Sequence, residues 1–277
     1  RWQYKRCSWI LRVVKEIKPK PIFHLAAYGA YPYQKDAKKI KKIILDGTIN
    51  LVNACKKVGF NIFINTGSNS EYGFKNKPMK ESDLLVPNSH YSVFKSAATL
   101  FCQYEALSEE LPIVTLRPFH VYGPYEEQTR FIPALISNLL IHNQCPPLVA
   151  PETARDMVYI DDAIDLYLLI ASKSGNISGE IFNVGTDTPV TVNDLAEEVC
   201  KLFNVEKKTI HFEERKEVKH AFSDHSKLRK YFGYQIRNSL SEGLDKMSKW
   251  VKEVGVRQSN DFKNIEIEKN LPKSWLT

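Results

Sequence analysis

Over residues 3–17 the apolar side chains Trp9, Ile10, Val13, Val14 and Ile17 recur at helical spacing, and Lys18-Pro19-Lys20-Pro21 stops the pattern. The apolar run that follows predicts a strand over 22–27. A second helical pattern covers 36–58, with Ile40, Ile43, Ile44, Gly47, Leu51, Val52 and Cys55 along one side. Residues 60–64 read as a buried strand and 112–116 as another. Between them, 91–107 places Phe94, Ala98, Phe101, Cys102 and Leu107 at helical spacing. Strands alternating with helices of this length require crossover connections, so the fold class is α/β: a parallel sheet with helices on both faces and right-handed crossovers.

Beyond Gly123 the texture changes. Helices are expected over 131–142, from 161, over 192–203 and over 239–254, with strands over 157–160 and 180–184 and a proline-rich link at Cys145-Pro146-Pro147. These shorter elements suggest a smaller lobe at the carboxyl edge of the sheet, where open α/β folds bind ligands. The expected division is 1–124 for the sheet domain and 125–277 mainly for the lobe, with some segments returning to the sheet.

Composition narrows the class. With 277 residues, 43% hydrophobic and 26% charged, the chain can bury a core as one large or two modest domains. The apolar runs 21–27 and 135–141 fall far short of the ~18 residues of a membrane span, so no membrane partner is expected. No charged-then-apolar leader follows Arg1, which makes a cytoplasmic location the default expectation. Five scattered cysteines without a Cys-x-x-Cys pair fit buried thiols better than disulfides or a zinc site. The net charge of +7 is spread over helix faces, with its densest run at 35–42, so nucleic acid is not expected, whereas a phosphate-bearing substrate suits it.

Candidate chemistry gathers in three pieces: Ser68 within Asn65-Thr-Gly-Ser-Asn-Ser-Glu-Tyr-Gly73, Tyr91-Ser-Val-Phe-Lys95, and Arg117-Pro-Phe-His-Val-Tyr-Gly-Pro124. Tyr91 and Lys95, four apart, share a helix face. A phenol with a pKa near 10 needs roughly 4 kcal/mol to titrate about three units lower. One cation at ~5 Å in an effective dielectric of ~20 supplies about 3 kcal/mol, so the pair makes sense beside a second cation such as an oxidised nicotinamide. A second Tyr-x-x-x-Lys, Tyr31 to Lys35, lacks such surroundings. Ser68 follows a strand at the carboxyl edge and could donate to a substrate oxygen, though turn chemistry alone also explains it. Arg155 offers bidentate phosphate binding or a salt bridge to Asp156 or Asp161. His24 reads as a satisfied core histidine, and His120 follows a strand on the presumed active edge. No Ser-His-Asp order, metal-ligand spacing or paired catalytic carboxylates stand out.

These segments, with His24-Leu-Ala-Ala27, Ala154-Arg-Asp-Met-Val-Tyr-Ile-Asp-Asp162 and Phe182-Asn-Val-Gly185, resemble the extended short-chain dehydrogenase/reductase family, in its nucleotide-sugar epimerase, dehydratase and reductase group. They stand in the family's order and spacing across nearly the whole chain. The resemblance implies a Rossmann-like doubly wound sheet, NAD or NADP as cofactor, a nucleotide-diphosphate sugar as substrate, and a homodimer as the candidate assembly. It makes Tyr91 the catalytic acid or base, Lys95 its partner on the nicotinamide ribose, and Ser68 the holder of the sugar oxygen. Ala26, Ala27 and Pro118 would line the cofactor. His120, Arg155 and, more weakly, Arg215 would contact the substrate.

Three departures qualify it. Asn69 and Ser70 stand where the family's 4,6-dehydratases carry acids, and Glu71 is displaced by one place, so dehydration is disfavoured. A 4-keto-sugar reductase of the CDP-abequose synthase type, or an epimerase, is expected instead. Ile44 and His120 replace common asparagines. Finally, no Gly-x-x-Gly-x-x-Gly occurs and the first glycine is Gly29. The family's first two βα units, roughly 60 residues, are therefore expected to be missing, leaving the Rossmann domain N-terminally incomplete. The rival expectation is a truncated, inactive sugar-nucleotide-binding protein.

Overall fold

The computed structural model describes residues 2–31, 34–73, 75–146, 148, 151–173, 177–206 and 220–256. The chain divides into two compact units. Arg1–Val121, Thr153–Val190 and Lys216–Arg237 form the first, and Tyr122–Glu152, Thr191–Arg215 and Asn238–Thr277 the second.

In chain order the elements begin with α1 (Trp2–Ile17), β1 (Pro21–His24), α2 (Ala37–Lys41), a π-helical turn (Lys42–Asp46), α3 (Gly47–Val58) and β2 (Ile62–Thr66). A 3-10 turn (Asn69–Tyr72), α4 (His90–Ser108), β3 (Ile113–Pro118), β4 (His120–Tyr122), α5 (Phe131–His142) and β5 (Ala154–Tyr159) follow. The remainder is α6 (Ile160–Ser172), β6 (Ile181–Val184), β7 (Pro189–Thr191), α7 (Val192–Leu202), β8 (His220–Ala221), α8 (Ser226–Phe232) and α9 (Leu240–Val254).

The first unit is built on four parallel strands in the order β1-β2-β3-β6. Alternation along each strand sends successive side chains to opposite faces. Ile22, Phe63 and Ile113 pack on one face against Val14, Val52, Cys55, Cys102 and Ala106 of α1, α3 and α4. Ile62, Ile64, Val114, Leu116, Phe182 and Val184 pack on the other against Ala163, Leu166 and Ile170 of α6 and Leu228 of α8. Apolar residues on both faces of every central strand are what a parallel sheet under two helical layers demands. The α/β expectation is met. In the second unit α5, α7 and α9 pack pairwise, burying Leu135, Ile136, Leu195, Val199, Leu244 and Met247 among others. Among the described residues no helix is long and apolar enough to cross a membrane.

Three boundaries differ from the sequence pattern. β1 ends at His24, so Ala26 and Ala27 lie exposed in the loop at its carboxyl end. The helix expected over 36–58 contains the π turn, where Ile44 is buried and its carbonyl accepts the Thr48 hydroxyl at 2.5 Å. β5 starts at Ala154, because Ala154 and Arg155 pair with His220 and Ala221 of β8, so Arg155 and Asp156 stand within the strand rather than before it.

Candidate active site

Ser68 comes two residues after β2 and caps the 3-10 turn. Its side chain accepts from the Ser70 amide, while Glu71 Oε1 accepts from the Ser68 amide at 2.8 Å. This reciprocal capping box fixes the turn at the carboxyl edge of the sheet. Ser68 Oγ also lies 2.8 Å from Ser70 Oγ. The turn chemistry expected of Ser68 is thus present.

Tyr91 and Lys95 occupy the first two turns of α4, whose N-terminus is capped by Ser89. Lys95 is buried and donates to the Thr66 carbonyl at 2.7 Å, tying α4 to the last residue of β2. Its ammonium lies 5.9 Å from the centre of the half-buried Tyr91 ring. Burial lowers the Lys95 pKa to about 8, opposed by the charge of Glu71 and to a lesser degree by Cys102. Lys95 therefore remains mostly cationic at neutral pH. Tyr31 and Lys35, by contrast, precede α2, which starts at Ala37 behind its Asp36 cap, so no helix face brings them together.

Beneath the Ser68 turn runs a buried polar network. Arg117 Nε donates to Glu71 Oε2 at 2.9 Å, and Arg117 Nη1 donates to the Tyr72 hydroxyl at 3.0 Å. Tyr72 in turn donates to Asn183 Oδ1 at 2.7 Å, and Thr99 Oγ1 donates to Glu71 Oε1 at 3.1 Å. Burial pushes the Tyr72 phenol up to about 12, so it acts here as a neutral donor. Sequence reasoning treated Glu71 only as a displaced acid and gave Arg117 no partner. The available signal was an arginine inside an apolar strand, which cannot be buried without a carboxylate to meet it.

The remaining candidates fall in separate places. Pro118 ends β3 half-buried, and His120 lies half-buried in β4. Arg155, in β5, donates from Nη1 to the Ala154 carbonyl at 2.9 Å. His24 is the satisfied core histidine expected, with Nε2 2.8 Å from Thr48 Oγ1. Arg215 lies outside the described residues.

Residues 4–185 match the model of the NAD dependent epimerase/dehydratase family. Among curated relatives, the chain is 30% identical over 213 residues to a trifunctional UDP-glucose 4,6-dehydratase/UDP-4-keto-6-deoxy-D-glucose 3,5-epimerase/UDP-4-keto-L-rhamnose-reductase of Arabidopsis thaliana, covering 74% of this chain and 31% of that protein. The chain thus spans about a third of that relative's length. Among solved structures, the UDP-glucose 4-epimerase of Thermotoga maritima with UDP-glucose superposes with a TM-score of 0.83 at 25% identity, covering 90% of this chain and 82% of that one. The UDP-glucuronic acid 4-epimerase of Bacillus cereus, in complex with UDP-glucuronic acid and NAD, gives a TM-score of 0.79 at 26% identity over 89% of this chain and 79% of that one.

Proposed function

Because this chain belongs to the NAD dependent epimerase/dehydratase family, we propose that it acts on a nucleotide-diphosphate sugar by hydride transfer at a sugar carbon, as a 4-keto-sugar reductase. The observation that carries the choice within the family is the state of Glu71. Its carboxylate is fully buried and engaged by Ser68, Thr99 and Arg117, so it cannot reach out to drive loss of water from a sugar. Asn69 and Ser70 supply no acid in its stead. What remains is carbonyl and alcohol interconversion.

In that reaction the Tyr91 hydroxyl gives its proton to the keto oxygen, and Ser68 Oγ donates a hydrogen bond to the same oxygen. The resulting phenolate lies beside the Lys95 ammonium, an interaction of about 3 kcal/mol at an effective dielectric of ~20. Lys95 uses one N–H on the Thr66 carbonyl. Among the described residues this leaves two N–H donors of Lys95, a set that fits the vicinal hydroxyls of a ribose. A nicotinamide dinucleotide held by Lys95 and Tyr91, against Ala26, Ala27 and Pro118, would supply the hydride. NAD and NADP fit this donor set equally. His120 and Arg155 are assigned to the substrate, the arginine to its nucleotide or diphosphate. A 4-epimerase is the second reading, favoured by the likeness to the two 4-epimerase structures.

Tyr91→Phe in the full-length protein is expected to lower turnover by about a hundredfold or more while sugar-nucleotide binding, read by calorimetry, stays nearly unchanged. A variant that keeps most of its turnover would remove Tyr91 from the mechanism. Net consumption of reduced cofactor with a 4-keto nucleotide sugar supports the reductase. Isomerisation without net cofactor change supports the epimerase.

A further inference from the structure

We propose that Glu71 is a positioning residue, whose buried carboxylate both sets the Ser68 turn and supplies the charge that keeps Lys95 a cation. The inference rests on the reading that Ser68, Tyr91 and Lys95 form the reacting site. Its geometry is local and complete. Oε1 accepts from the Ser68 amide and the Thr99 hydroxyl, and Oε2 accepts from Arg117 Nε. The oxygen that orients Ser68 is therefore itself held from α4 and, through its partner, from β3.

Among the described residues, four elements present groups to Lys95. From α4 itself these are Tyr91 and Cys102, from β1 His24, from β2 the Thr66 carbonyl, and from the 3-10 turn Glu71. Burial pushes the Cys102 thiol up to about 12, so it is neutral at working pH. Burial, with Lys95 second, lowers His24 to about 4, so it too is neutral. Among these groups Glu71, ion-paired with Arg117, is the main one opposing the desolvation of Lys95. Arg117 meets the far oxygen, Oε2, at 2.9 Å and offsets part of the Glu71 charge, whereas Oε1 is held by Thr99, one helical turn from Lys95 on α4. A neutral Lys95 could not stabilise a phenolate. The same residue that aims the hydroxyl of the site therefore sets the pH above which its phenolate loses support.

The test is Glu71→Gln in the full-length enzyme, which keeps a carbonyl oxygen for the Ser68 amide while removing the charge. The titration of Lys95 is followed by 13C NMR at its ε-carbon, assigned with Lys95→Arg. The midpoint is expected to fall below about 8, by on the order of one pH unit. The alkaline limb of kcat/KM should move down with it. A purely structural role would lower the melting temperature and leave the midpoint in place, and a folded variant with that behaviour overturns the proposal. If the single variant does not fold with Arg117 unpaired, Glu71→Gln/Arg117→Gln offers an amide pair in its place. A smaller downward shift is expected there, since the opposing guanidinium charge goes with the carboxylate, and an unmoved midpoint again overturns the proposal. The NMR reading needs no substrate. A wild-type enzyme inactive on 4-keto and UDP sugars would thus sink the functional reading without touching this one.

Discussion

His24 donates from Nε2 to Thr48, since the Thr48 hydroxyl spends its one proton on the Ile44 carbonyl. The imidazole is thereby fixed in one neutral tautomer inside β1, with the Phe63 ring 5.7 Å away. Burial first, and the Lys95 charge second, lower its pKa from 6.5 to about 4. Between those values the unfolded chain binds a proton that the folded chain does not, so stability rises with pH across this window and falls as acid is added. The full difference is on the order of 3 kcal/mol. Denaturant midpoints measured from pH 7 down to pH 4 should show this loss, and His24→Gln, which retains a donor to Thr48, should flatten that part of the profile. An unchanged slope would mean that His24 is not the titrating group. The family resemblance pointed to Ile44 as a lost asparagine contact. The π turn instead presents a backbone carbonyl to Thr48, a substitution of main chain for side chain that no residue pattern announces.

The β2-to-α4 connection shows how far an element can be read from sequence. Helices 131–142 and 239–254 were legible almost to the residue, because Ser239 with Glu242 forms a capping box and the apolar period runs unbroken. The Ser68 turn was legible as a turn, yet its inner side was not. Gly67 explains why. A Cβ there would meet Glu71 Oε1 at 2.6 Å and Arg117 Cγ at 3.0 Å, so the backbone rides directly on the buried ion pair. That close approach depends on Arg117, fifty places away, drawing Glu71 inward beneath the turn, which local spacing cannot register. Gly67→Ala should therefore cost about 1–3 kcal/mol of stability by overpacking, seen as a lower denaturant midpoint, with a larger proportional loss in kcat than in melting temperature because Ser68 is displaced. Wild-type stability in that variant would mean that Glu71 and Arg117 have room to yield.

At the scale of the first unit, segments far apart in sequence meet at one carboxylate. Asp156 in β5 is fully buried and accepts from the Thr186 amide and hydroxyl at 2.7 Å through Oδ1. Through Oδ2 it accepts from the Ser223 amide at 2.9 Å, the Ser223 hydroxyl at 2.5 Å and the Asp187 amide at 3.2 Å. Five donors from the turn after β6 and the segment after β8 thus converge on one side chain. Gly185 completes the fit, since a Cβ there would lie 2.5 Å from Asp156 Oδ2. In the sequence Asp156 offered only a salt bridge to its neighbour Arg155, because β8 is two residues long and its pairing with β5 has no periodicity to betray it. Asp156→Asn puts an amide N–H against a backbone N–H donor whichever way the side chain is turned, that of Thr186 on one side or those of Ser223 and Asp187 on the other. The expected loss is about 3–5 kcal/mol, the range for breaking a buried charged network by removing one partner. The control is Asp165→Asn, which removes only the half-exposed bridge to Arg237 and should leave the denaturant midpoint within scatter. Under the proposed assignment of Arg155, the strand neighbour of Asp156, a partly folded Asp156→Asn variant should also bind the nucleotide sugar more weakly. If its stability matches the control, the clamp on β5 lies elsewhere and the five hydrogen bonds are interchangeable with solvent.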